Sequence, residues 1–285
     1  MKWGASWLLF AASVTACSLG VDWDALRAGA GDLPEGGAIA DGGASDASGA
    51  LDARDGAVGP ADAALGPYCS LAAHTICVDL EGDPSPLNLT AHVNGTSTLT
   101  VDRASAVSPP SSLLARVPAG QAEYHAAAAS AFDLAASFDR GTITARASLR
   151  MESAPDSITF DILRIALEKD TTSRGVAVRV TRPPGSSSFA VRVVEENEDS
   201  ASISSVETGV SLTMNAWSVL ELTLVDHAAA RLRIDGKTVF DAKLADAEWA
   251  RVTDSPQVNV GAWYLKSAAG APPVDIRLDD ISIDL

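Results

Sequence analysis

Between residues 142 and 151 the chain alternates with a period of two. Ile143, Ala145, Ala147, Leu149 and Met151 are apolar, while Thr142, Thr144, Arg146, Ser148 and Arg150 are polar or charged. Only an extended backbone sends successive side chains to opposite sides, so this run predicts a strand with one buried face. The period returns at Ile158, Phe160 and Ile162, then slips by one into Leu163, Ile165 and Leu167. A slip of one residue is what a β-bulge produces. Further runs follow at Val176, Val178 and Val180, at Phe189, Val191 and Val193, and at Leu220, Leu222 and Leu224. The last runs Val274, Ile276 and Leu278, then Ile281, Ile283 and Leu285, with a second slip at Asp279-Asp280.

Turn chemistry separates these runs. Asn94-Gly95 and Asp235-Gly236 suit tight hairpins, and Pro183-Pro184-Gly185 breaks two strands. One stretch has a different character: Gln121 to Ser137 is alanine-rich and has high helix propensity. Strand is expected for part of it, because propensity is a weak prior inside a β context. Many short strands with regular turns imply an all-β fold, a two-sheet antiparallel sandwich of jelly-roll type. Residues 68–285 suit one such domain, since large sandwiches often run to about 200–250 residues as a single unit.

The first 67 residues are of another kind. Met1 and Lys2 precede an apolar segment, Trp7 to Val14, that is too short to span a bilayer and suits a cleaved signal peptide over residues 1–16. Val14-Thr15-Ala16-Cys17 looks like the bacterial lipobox, in which the cysteine is acylated and becomes the new amino terminus. Cys17 is therefore the expected lipidation site, and two or more acyl chains give stable anchoring. The alternative is an ordinary signal peptide with an incidental cysteine. By resemblance to Gram-negative lipoproteins, Ser18 in the position where Asp would retain the protein favours the outer membrane. Residues 17–67 form an Ala/Gly/Asp-rich tether with nine acidic and two basic residues after the cysteine. Such a segment buries too little surface to offset its ordering entropy and is expected to be disordered.

The net charge of −16 leaves no basic stripe for a phosphate backbone, so nucleic acid is not an expected partner. Besides Cys17 there are two cysteines, Cys69 and Cys77. In an exported protein these can pair, leaving no odd thiol. Metal binding is the other reading, but a zinc site wants four ligands.

Several segments of the domain together resemble the concanavalin A-like (laminin-G-like) jelly-roll superfamily, in the form found as lipoproteins of myxobacteria and relatives. They are Cys77 to Glu81 (CVDLE), Val101 to Val117, Trp217 to Val225, the hairpin Arg231 to Phe240, and Val274 to Leu285 (VDIRLDDISIDL). The resemblance implies a fold and carries no catalytic signature. It also implies a structural calcium ion between an early acidic segment and the last strand, with Asp79 and Glu81 on one side and Asp279 or Asp280 on the other. Calcium takes six to eight oxygen ligands. The plainer reading is that Asp279-Asp280 only shapes a bulge.

The chemistry expected from the residues is sparse. Glycanases of the superfamily carry a Glu-x-Asp-x-x-Glu strand, which this chain lacks. The densest carboxylate run, Glu195-Glu196-Asn197-Glu198-Asp199, reads as a solvated loop beyond a strand end. His74, His92, His125 and His227 have no metal-ligand spacing, and no nucleophile elbow or phosphate loop is present. Trp263 and Tyr264, with Trp249, are candidates for a sugar-stacking platform, against the plainer reading of core or edge packing. Trp217 reads as core or sheet-edge packing. The expectation from sequence is a non-enzymatic envelope lipoprotein whose jelly roll binds polysaccharide. A protein-interaction or structural module is the alternative, and a glycan hydrolase comes last.

Overall fold

The computed structural model describes residues 68–70, 74–80, 89–119, 125–131, 134, 141–169, 172–196, 202–226, 228–245, 256–265 and 271–285. A short 3-10 turn, Tyr68–Ser70, precedes the strands β1 (Ile76–Val78), β2 (Thr90–Val93), β3 (Thr98–Asp102), β4 (Ser112–Val117), β5 (His125–Ala131), β6 (Thr142–Ser153), β7 (Thr159–Lys169) and β8 (Thr172–Thr181). Then come β9 (Ser188–Glu196), β10 (Ser202–Thr213), β11 (Ser218–Val225), β12 (Ala229–Ile234), β13 (Lys237–Lys243), β14 (Pro256–Leu265) and β15 (Val274–Asp284). They form two antiparallel sheets. The eight-stranded sheet runs β13-β12-β11-β6-β15-β4-β3, with β1 also on β15; the seven-stranded sheet runs β10-β9-β8-β7-β14-β5-β2. The protein is an all-β sandwich, as the alternation requires.

The apolar members of each run meet between the sheets. Ile143, Ala145, Leu149, Leu220, Leu222, Leu224, Ile276 and Leu278 come from one side, and Phe160, Ile165, Val176, Val178, Phe189, Val258 and Val260 from the other; all are essentially fully buried. Phe160 and Phe189 meet edge-to-face with centroids 6.4 Å apart. Each such large side chain contributes about 1.5–3 kcal/mol of burial, so this interface is the main source of stability.

Both expected bulges are present. The β7–β8 register shifts between Asp161 and Leu163, and the β15–β6 register between Asp279 and Ser282. The second coincides with Asp280 in the left-handed region, at φ 47°. It also divides β15 between partners: residues 274–278 pair with β4 and residues 281–283 with β1. The Asp235-Gly236 hairpin joins β12 to β13 with both residues at positive φ, 49° and 77°.

The turn at Asn94-Gly95 departs from expectation. It links β2 of one sheet to β3 of the other, so it crosses between layers instead of closing a hairpin. A tight turn fixes the local reversal of the chain but not which sheet the next strand joins. The helix-prone alanine stretch forms β5, held between β14 and β2. Here two ladders of backbone hydrogen bonds outweigh intrinsic propensity. Trp217 is half-buried just before β11, which fits the sheet-edge alternative.

Cys69 and Cys77 form a disulfide, Cα–Cα 5.6 Å. It ties the turn at Tyr68–Ser70 to β1. The Tyr68 hydroxyl hydrogen-bonds Ser282 Oγ at 2.9 Å, and His74 Nδ1 lies 3.0 Å from Asp284. Ile281 and Ile283 point into the core, so Ser282 and the residues bonded to it sit on the outer face of the eight-stranded sheet.

Candidate functional site

The outer face of the seven-stranded sheet carries the side chains that alternate with its core residues. Strand pairing sets them in rows. Val194, Ala177, Arg164, Asn259, Ser130 and Thr90 stand in one cross-strand row; Glu196, Gly175, Ala166 and Gln257 stand in the next. The outer face of a sandwich ordinarily meets water, yet Arg164 is 3% exposed, Asn259 1% and Glu196 and Asp161 0%. Charges are rarely held this deep unless they are paired or serve a function.

They are paired. Arg179 donates from Nε to Asp161 Oδ1 at 2.7 Å and from Nη2 to Asp161 Oδ2 at 3.1 Å, and also to Glu196 Oε1. Arg164 donates from Nε to Glu196 Oε2 and from Nη1 to Gln257 Oε1, both at 3.4 Å. Two guanidinium groups and two carboxylates thus form one network across β7, β8 and β9, with Gln257 of β14 at its edge. Burial and the charge of Asp161 push the Glu196 carboxyl up to about 7, against the opposing pull of Arg164 and Arg179. Glu196 therefore gains and loses its proton near neutral pH.

Small residues keep the floor low around this network. A Cβ on Gly175 would lie 3.2 Å from the Arg164 guanidinium. At Gly261, φ +135°, a Cβ would lie 2.5 Å from the Ala127 carbonyl oxygen, so only glycine lets β14 approach β5 this closely. Asn259 sits between Arg164 and Ser130. Its Oδ1 accepts from Ser130 Oγ at 2.6 Å, while its buried Nδ2 has no hydrogen-bond partner among the described residues. A buried amide donor without a partner loses its hydration with nothing in return, and such groups mark places where a ligand can supply the acceptor.

Further along the same face, His92 of β2 packs against Trp263 of β14, ring centroids 4.5 Å apart. Burial holds the His92 imidazole below its ordinary pKa, so it is neutral at physiological pH and able to accept a proton. Trp263 is 8% exposed and seated on Ala126 and Ala128. Its ring packs onto the sheet and His92. Tyr264 continues the same strand with its side chain outside the described residues, where Trp249 and Glu81 also lie.

The carboxylate run needs correction. Glu195 and Glu196 belong to β9 and are buried, 2% and 0% exposed, so they are not part of a solvated loop. Their partners come from elsewhere in the chain: Arg164 and Arg179 face Glu196, and Glu195 Oε2 accepts from Ser204 Oγ of β10 at 3.3 Å and from the Ala245 amide, just beyond β13, at 2.7 Å. Residues 197–199 lie outside the described residues. On the eight-stranded sheet, Asp279 accepts backbone N–H bonds from Val107, Ser108 and Asp280, and Asp280 accepts from Ser108 Oγ at 2.6 Å. Asp79 accepts from the Cys69 amide at 3.3 Å. Among the described residues no group of three or more His, Cys, Asp or Glu side chains is placed to hold a metal ion.

No family model and no curated protein matches the chain. Solved structures do. An endo-β-1,4-glucuronan lyase from the fungus Trichoderma reesei is similar at a TM-score of 0.53 and 10% identity, over 74% of this chain and 95% of that one. A cellulose induced protein is similar at 0.45 and 19%, covering 67% and 86%. A marine PL7 alginate lyase from Zobellia galactanivorans is similar at 0.44 and 14%, covering 67% and 81%. At these identities the likeness shows the jelly-roll fold. It also overturns the non-enzymatic reading, which treated this sandwich as a bare platform because a hydrolase motif was missing. The fold is an enzyme's in the glucuronan lyase, and that enzyme is a lyase, to which a hydrolase motif does not apply.

Proposed function

We propose that this protein is a polysaccharide-processing enzyme of the lyase class, with a uronate-containing chain lying across the outer face of the seven-stranded sheet. The observation that carries this reading is the buried Asn259 amide, a donor without a partner among the described residues, in one cross-strand row with Arg164. A uronate carboxylate laid on these groups would satisfy the amide and be neutralised by the cation. Neutralising that carboxylate acidifies the hydrogen on the adjacent ring carbon, which is what β-elimination requires of an enzyme. A base then removes that proton, its electron pair forms the ring double bond and the bond to the neighbouring sugar's oxygen breaks; that oxygen takes a proton from water, so the products are an unsaturated uronate end and a hydroxyl end. His92, neutral and two strand spacings or roughly 10 Å across the sheet from the Asn259 strand, is the base in this reading.

The test is to incubate the purified protein with glucuronan, alginate and an uncharged glucan, following the near-ultraviolet absorbance of unsaturated ends. Product is expected from a uronate polymer only, with at least a hundredfold loss in Asn259→Leu and in His92→Ala, on the order expected for a positioned base or charge-stabilising donor. No unsaturated end from any uronate polymer would sink the reading.

The lipid anchor belongs to the same proposal. The lipobox-like Val14-Thr15-Ala16-Cys17 places acylation on Cys17, with the domain held outside the cytoplasm. Membrane fractionation should find the protein with the envelope and Cys17→Ala in the soluble fraction. Equal distribution of the two would remove the anchor.

A further inference from the structure

A second polar site lies on the opposite outer face, that of the eight-stranded sheet. Arg146 of β6, Glu221 of β11 and Arg233 of β12 stand side by side in one cross-strand row. With Val219 and Gly236 they line a depression of about 210 Å³. Two guanidinium groups share this hollow with one carboxylate, in a chain whose net charge is −16.

The two arginines are held differently. Arg233 is committed: it donates from Nη1 to Glu221 Oε1 at 3.2 Å and from Nη2 to the Gly236 carbonyl at 2.9 Å. Arg146 is half-buried, and its one contact of note is with the Tyr68 ring, 5.2 Å from the centroid. Tyr68 is itself fixed by its bond to Ser282. A cation–π contact engages the charge but not the in-plane N–H donors of the guanidinium. Among the described residues none of those donors has a hydrogen-bond partner. The aromatic ring thus orients a charged fork and leaves its bonding edge open, the arrangement that favours a planar or tetrahedral oxyanion. The volume is below the about 300–1,000 Å³ of sites for larger ligands, which limits the occupant to one small group.

We propose that this hollow binds a single oxyanion, a carboxylate or sulfate group, with Arg146 as the principal donor, Arg233 as the supporting charge and Glu221 as the group that keeps affinity modest. The site is independent of the seven-stranded sheet and stands or falls separately from the proposed activity.

The experiment is calorimetric titration of the purified full-length protein with sodium sulfate and with sodium glucuronate, at constant ionic strength. At least one of the two should bind, and their ranking identifies the preferred oxyanion. Arg146→Gln should weaken binding by about tenfold or more, the loss expected for a charge-assisted bond, while Arg103→Gln, an exposed arginine elsewhere, should leave it unchanged. Glu221→Gln should tighten binding, because it removes the competing negative charge at almost constant shape. This third variant decides the matter even if Arg146→Gln fails to fold. Absence of binding by both anions, or equal affinity in all variants, would overturn the proposal.

Discussion

Replacing Arg179 by methionine should destabilise the protein by on the order of 3–5 kcal/mol, the range for removing one partner of a buried ion pair. The size follows from what remains. Asp161 and Glu196 are both fully buried, and Arg179 bonds both. Without it, two carboxylates face each other with Arg164 as the one remaining cation of the network. The lost attraction matters less than the uncompensated charge left in a place without water. A direct check is the denaturant midpoint of Arg179→Met alone and with Asp161→Asn and Glu196→Gln added. The triple variant should recover much of the loss, because it removes the charges that Arg179 neutralised. A loss below about 1 kcal/mol, the value of an exposed surface pair, would contradict the buried network, as would failure of the triple variant to recover.

Stability should also fall as pH rises from about 4.5 toward about 7, and Glu196 should account for a measurable part of the fall. In the folded protein burial first, then Asp161, raise this carboxyl from 4.5 to about 7. Between those two values the folded state holds a proton that the unfolded state has released. Protons bound by the native form exceed those bound by the denatured form, so the slope of unfolding free energy against pH is negative there. Its contribution is greatest below about 4.5 and is gone above the folded value, at up to about 1.4 kcal/mol per pH unit in between. Asp161 and Arg164 of β7 and Arg179 of β8 are the charged groups bearing on it. Thermal melts of the protein and of Glu196→Gln across this window should diverge, with the variant lacking that part of the slope. Parallel curves would show that Glu196 titrates normally.

Much of the architecture was legible because its signal is local. Alternation in β6, β9, β11 and β15 is written in consecutive residues, and both bulges show as one-residue slips at Ile162-Leu163 and Asp279-Asp280. What failed was information carried between strands. Asn94-Gly95 announces a turn, but the destination of the next strand depends on β3 pairing with β4. The alanines of β5 favour helix until β14 and β2 close on them. The candidate site was illegible for the same reason. Glu196 looked like the start of an acidic loop, since its basic partners are distant in sequence: Arg192, four residues away, pairs with Glu207, while Arg179 and Arg164 arrive from 17 and 32 residues away. The one hint was a pair of arginines on the polar side of otherwise apolar strands, Arg164 and Arg179, where a threonine or serine would have sufficed. The packing of Trp263 against His92 follows from β2 lying beside β5 and is likewise not written in the sequence around it.

The Cys69–Cys77 loop, with Tyr68 bonded to Ser282, holds the first described residues over the eight-stranded sheet. The row of Arg164, Asn259 and Ser130 faces the other way. A polymer lying on that row would extend past both edges of the sheet without meeting the chain's own point of departure. Under the proposed anchor at Cys17, this would separate two mechanical demands. Tension applied at Tyr68 would be taken up through the disulfide loop and strand β15, while the face proposed for the polymer would stay free for a chain far longer than the domain.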